Sequence, residues 1–166
     1  MAVTRTPIAN TTAFNLDLLK LHARVDTEDD DIPLTIMGNT AAAELERHCE
    51  LALLRQQIRF SVEADGNPIS LPIGPLLEDS DITVEGLTAV VTITSSGRYP
   101  VIVLPDAVTG TVVISYEAGY GDAVDDIPDD LRFAIIDTAT ELYDKRSNGL
   151  SPAAARIAAR HRQVKL

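Results

Sequence analysis

The hydrophobic period of this chain changes twice, and that double change restricts its folds more than any single motif. Apolar residues recur at spacings of three and four up to about residue 54. From residue 56 to 118 they alternate with polar ones, which is the strand period. From residue 125 the helical spacing returns. A chain patterned this way predicts an α+β fold: a mainly helical bundle of about four helices with a central inserted β region of several short antiparallel strands.

Residues 1–13 are rich in Thr and small residues and show no period, so they are expected to form a flexible N-terminal arm. Asn15 is placed to cap a short helix carrying Leu16, Leu19 and Ala23 on one side. The acidic stretch 26–31 ends it, and Pro33 suits the first turn of the next helix, where carboxylates favour the positive end of the dipole. That second helix carries an apolar row of Leu34, Met37, Ala41, Leu45, His48 and Ala52. The two form a predicted helical hairpin over 14–54.

Ile58, Phe60 and Val62 open the β region, Asp65-Gly66-Asn67-Pro68 turns it, and Leu71-Pro72 and Gly74-Pro75 exclude helix. Further short strands are expected at Ile82 and Val84, at Val91 and Ile93, from Val101 to Leu104, and through Val112, Ile114 and Tyr116. Ser95-Ser96-Gly97 reads as a loop. Gly119-Tyr120-Gly121 closes the insertion. A helix over 127–147 follows, with Asp126 or Ile127 near its cap, Pro128 at its start and an apolar stripe of Leu131, Ile135, Thr138, Ala139 and Leu142. Asn148-Gly149 ends it. Ser151-Pro152 starts a last, Ala-rich helix from Ala153 to about Arg162, within a basic C-terminal segment 148–166.

Charge sorts the possible functions. The 166 residues carry 25 acids against 14 Lys and Arg, a net charge of −11. Such a surface does not suit general gripping of nucleic-acid phosphates. With no Trp and 4% aromatics there is no stacking platform for bases. The charge is also polar along the chain. Acids gather at 26–31 and 122–130, whereas after Asp144 there is none, and Lys145, Arg146, Arg156, Arg160, Arg162 and Lys165 follow. The result is an acidic body with a basic tail. No apolar run is long enough to cross a membrane, and residues 1–12 lack the apolar core of a signal peptide.

The candidate chemistry is sparse. Asp126 and Asp130 could form an acid–base pair, but both sit where a helix start favours acids. The 26–31 stretch lacks the glycine and distal Glu of a calcium loop. His22, His48 and His161 are far apart, and His48 and the single cysteine, Cys49, point about 100° apart on a helix. Gly119-x-Gly121 lacks the remaining residues of a phosphate loop, and no Gly-x-Ser-x-Gly is present. No catalytic residue, metal site or cofactor is therefore expected. The basic tail is the candidate interaction element. Arg156, Ile157, Arg160, Gln163 and Val164 share a face if the last helix continues, with Ile157, Val164 and Leu166 as apolar anchors.

The order of several short strings adds a resemblance. Leu21-His22-Ala23-Arg24-Val25-Asp26 leads into Ala43-Glu44-Leu45-Glu46-Arg47. Then come Leu71-Pro72-Ile73-Gly74-Pro75-Leu76, Val113-Ile114-Ser115-Tyr116-Glu117-Ala118-Gly119-Tyr120, Ile127-Pro128-Asp129-Asp130-Leu131 and Glu141-Leu142-Tyr143-Asp144-Lys145-Arg146. Over residues 14–147 the chain resembles the phage head–tail connector family, the portal adaptors, including those of gene transfer agents. It departs from the family's Leu-Arg-Val-Asp string, with Ala23 in place of the leucine, and Phe60 stands for the aromatic that opens the β region.

The resemblance implies a non-enzymatic virion protein of the neck, made in the bacterial host cytoplasm, with a ring of typically twelve copies on the portal. Its implied partners are the portal protein, the stopper or tail-side neck protein and further copies of itself. DNA is passing cargo only, and no membrane is involved. It also implies that the C-terminal segment meets the portal, which singles out Arg156, Ile157, Arg160, Arg162, Lys165 and Leu166. Three other readings fit parts of the pattern: a stopper or tail terminator, a small hydrolase using the acid clusters, and a non-viral acidic module that binds a basic protein.

Overall fold

A computed structural model describes residues 2–86, 91–95, 100–105, 108–145 and 149–162. Four helices and seven strands occur among them: β1 (Val3–Pro7), α1 (Leu16–Ala23), α2 (Asp31–Cys49), β2 (Gln56–Ala64), β3 (Ile69–Ser70), β4 (Thr83–Val84), β5 (Thr92–Ser95), β6 (Val101–Val103), β7 (Gly110–Ala118), α3 (Asp129–Lys145) and α4 (Pro152–His161). The fold is α+β, with the β region inserted between the helical hairpin and α3.

The helices pack because their small and branched residues fall on one side. On α2 that side is Leu34, Gly38, Ala41, Ala42, Leu45 and Cys49. Gly38 lets the Phe14 ring lie directly on the helix backbone, where a Cβ would collide with it. Leu131, Ala134, Ile135 and Ala139 of α3, Ala154, Ile157 and Ala158 of α4, and Leu19 of α1 complete this core. Each buried Leu or Ile contributes roughly 1.5–3 kcal/mol.

The β region has its own core. The strand pairings among the described residues are antiparallel, in one sheet ordered β1-β2-β7-β4 and a smaller one ordered β3-β6-β5. β2 and β7 are in register along their length, with Ile58 opposite Tyr116 and Phe60 opposite Ile114. Alternation turns Ile58 and Phe60, and Val112, Ile114 and Tyr116, inward together. Phe60 and Tyr116 meet edge to face with ring centroids 6.1 Å apart. The Tyr116 hydroxyl donates to the Ile73 carbonyl at 2.8 Å and accepts from the Ile73 N–H at 3.1 Å. Its burial pushes the phenol pKa up.

Residues 51–54 join the two cores. Leu51, Leu53 and Leu54 enter the helical core, while Ala52 enters the β core. The Ala52 N–H donates to Gly74, Tyr120 N–H to Leu53, and Gly119 N–H to Pro75. Gly119 sits at φ +138°, and a Cβ there would lie 2.5 Å from the Leu54 carbonyl oxygen.

The structure corrects several expectations. Residues 3–7 are a strand and not an arm: Val3 pairs with Phe60 and Pro7 with Gln56. Arg5 fixes it by donating to the Leu51 carbonyl at 3.0 Å, with Glu46 at 3.7 Å. Burial pushes the Glu46 carboxyl pKa up, beyond the opposing effects of the Leu53 N–H, Arg5 and Gln56. On α2, Cys49 and not His48 faces inward, because Gly38 and Ala42 shift the buried row; Ala52 lies past the helix end. α3 starts at Asp129, where the Pro128 carbonyl accepts from Leu131 and Arg132, and a 3-10 turn at Val124–Asp126 precedes it. Leu142 is half-buried. α3 is described as far as Lys145; Gly149 has a positive φ of +84°, and Arg146 and Asn148 lie outside the described residues, as do Ser96 and Gly97.

Candidate interaction surfaces

Several of the acids weighed as candidate chemistry are engaged in caps and ion pairs. Asp126 accepts from the Ala123 N–H at 2.9 Å. Arg132 pairs with Asp125 at 2.6 Å and also with Asp129. Asp130 pairs with His161 at 2.6 Å. Burial raises the Asp130 pKa, but the His161 hydrogen bond and charge outweigh it, so the carboxyl lies below its ordinary value. In the 26–31 stretch, Asp31 pairs with Lys20 at 2.6 Å and Asp30 accepts from the Tyr143 hydroxyl at 3.0 Å. Among the described residues no group of three His, Cys, Asp or Glu is placed to hold a metal ion. None of the described helices is long and apolar enough to cross a membrane.

The basic tail divides. Ser151 caps α4 by accepting from the Ala154 N–H at 3.0 Å, and its hydroxyl donates to Asp137 at 2.5 Å. Pro152 occupies the first turn, where its missing N–H costs nothing. The helix then turns Ala154, Ile157, Ala158 and His161 inward. The Cys49 thiol donates to the Ala158 carbonyl at 3.6 Å. Arg156 and Arg160, one turn apart, and Arg162 are exposed. Ile157 therefore does not share the arginine face: it is 8% exposed and packs in the chain's own core. Gln163, Val164, Lys165 and Leu166 lie outside the described residues.

Sequence reasoning missed a second surface. Leu18, Leu21, His22 and Arg24 of α1 and its cap line an open groove with Phe133 and Ile136 of α3. Elsewhere Ile32 and Ile36 stand exposed on α2. The signal was present as apolar residues out of step with the buried rows.

A third feature is the junction of the two cores. Arg55 donates to Glu117 at 2.6 Å and lies 3.3 Å from Asp79 and 3.5 Å from Asp122. With three carboxylates around it, its guanidinium holds the β region against the loop that leads to α3.

No family model matches this sequence, and no curated protein does. Solved structures do match in shape. One is a chain in the neck of an empty gene transfer agent particle computed with C6 symmetry, with a TM-score of 0.81. Another belongs to the virion of a native gene transfer agent particle, at 0.79. A third lies in the neck of a native particle computed with C12 symmetry, at 0.78. Each is 22% identical, over 100% of this chain and 97% of that chain. The chain has the fold of these neck proteins from end to end.

Proposed function

We propose that this protein is a structural subunit of the neck of a phage-like particle, the head–tail connector that forms a ring on the portal and joins the DNA-filled head to the tail. The observation that carries the reading is the completeness of the structural likeness. It spans both helical ends and the inserted β region, at a TM-score of 0.81 to a neck chain. Asp30, Asp31, Asp126 and Asp130 are engaged in caps and ion pairs, which supports a structural part for these acids.

The physics of such a ring fits the chain. Identical subunits meet through two different patches and close by rotation. Weak lateral contacts gain strength once a template holds copies side by side. The portal contacts in this reading are Arg156 and Arg160 on the outer face of α4, with Ile157, Arg162, Lys165 and Leu166 as the other residues of the segment singled out. Ile157 has a different part: it holds α4 to the body so that the arginines project. The negative body suits a passage through which DNA slides without sticking, since like charges repel.

Affinity isolation of the tagged protein from producing cells, with the co-purified proteins identified by mass spectrometry, tests the reading. Portal and tail-side neck proteins are the expected companions. A soluble, non-particle partner alone contradicts it. Replacing Arg156, Arg160 and Arg162 by Glu alters exposed residues only, so it should leave folding intact and abolish portal binding.

A further inference from the structure

We infer that the groove between α1 and α3 receives the outer face of α2 from a second copy of this chain. The inference rests on the ring reading above and gives the ring its lateral contact.

The groove has an apolar floor and a positive lip. Leu21 is 75% exposed, Leu18 49% and Phe133 45%. Isolated exposed apolar residues are ordinary, but these converge with Ile136 on one depression. His22 stands edge-on to Phe133, with ring centroids 6.1 Å apart. Arg24 caps α1 in the left-handed conformation, is exposed, and forms no ion pair among the described residues. Asp137 lies 3.7 Å from His22 at the groove's edge, so the cation left open to a partner there is Arg24.

Its complement lies on the same chain but faces elsewhere. Ile32 and Ile36, one helical turn apart, are 75% and 61% exposed. They occupy the side of α2 opposite the buried Leu34, Gly38, Ala41 and Leu45. Both α1 and α3 pack against α2. The outer face of α2 therefore points away from the groove that those two helices form, and it can fill that groove only on another copy. One turn ahead of Ile32 stand exposed Glu28 and Asp29, an acidic lip.

An apolar patch with a basic border and an apolar patch with an acidic border, on different faces of one chain, are complementary head to tail. Contacts of that type build rings when the rotation closes. Charge matching sets partner choice and register. It matters here because a net charge of −11 makes two copies repel in most other orientations.

Cross-linking of the purified full-length protein tests this. Leu21→Cys and Ile36→Cys are made singly and together; the native Cys49 is fully buried and does not compete. A short bismaleimide at high protein concentration traps even transient contacts. The expected result is no dimer from either single variant, a dimer from their mixture, and a ladder of multimers from the double variant. Arg24→Glu in the double variant should remove the ladder, and adding Glu28→Arg and Asp29→Arg should restore it. A ladder no stronger than that of Glu78→Cys combined with Ile36→Cys overturns the inference. So does a dimer from Leu21→Cys alone, which marks a face-to-face contact. Failure here leaves the neck reading standing, whereas absence of the protein from particle necks defeats that reading whatever the cross-links show.

Discussion

The helical and β regions close their cores differently. The β region turns its large residues inward from paired strands and finishes the job with a buried hydroxyl: Tyr116 satisfies both backbone groups of Ile73. The helical region buries one face and leaves another apolar. Among the described residues, five of the eight large apolar side chains left exposed sit on α1, α2 and α3: Leu18, Leu21, Ile32, Ile36 and Phe133. The difference teaches where each region does its work. Among the described residues the β region leaves fewer large apolar side chains exposed, while in the proposed ring the helical region carries the surface that a neighbour covers.

The sharpest way to break the comparison is at the junction. Gly119→Ala forces a side chain into a left-handed backbone and against the Leu54 carbonyl. It should cost about 3 kcal/mol. If the cores are one cooperative unit, denaturant melts followed by circular dichroism and by Tyr fluorescence will shift together. Separate midpoints would mean that the two regions unfold independently.

Tyr116→Phe tests the β region alone. It leaves the buried Ile73 N–H and carbonyl without a partner, at a cost of roughly 1–3 kcal/mol. Hydrogen exchange at the Ile73 amide should accelerate while amides of α2 and α3 keep their protection.

The grip of α4 on α3 should depend on acid. Asp130 has a folded pKa below its ordinary 3.8. Its contribution is therefore fully present above the ordinary value and is lost as pH falls through the folded one. An acid titration of α4 protection should show this loss below about pH 4. Asp130→Asn should remove the dependence on acid.

The smallest effect on stability belongs to the open face. Leu21→Glu changes an exposed residue and should alter the unfolding free energy by less than about 0.5 kcal/mol. Incorporation into particles should nevertheless drop sharply, measured by quantifying the protein in purified particles. A large loss of stability would show that Leu21 supports the chain's own core.

Much of this was legible from periodicity, and the failures have physical causes. The helix–strand–helix order followed from the switch of period near Gln56 and its return near Asp125. The inward row of α2 was half right. Leu34, Ala41 and Leu45 held, but spacings of three and four also admit His48, and it is Cys49, one turn after Leu45, that packs against Ala158 of α4. β1 was missed because its evidence is non-local: five residues become a strand by pairing with β2, about fifty positions away. On α4 the arginines are exposed. Ile157 was assigned to their face because the buried alanines that share its side, Ala154 and Ala158, have little hydrophobic signal. The Arg55 cluster was not legible at all, since its three carboxylates come from distant segments.

The most direct test of the account is electron microscopy of particles from cells producing the tagged protein, with the tag labelled and the neck averaged. The account predicts a closed ring of label between head and tail, next to the portal, with the helical regions of adjacent subunits in contact. Label on the capsid shell or the distal tail, or particles with no label, would contradict it.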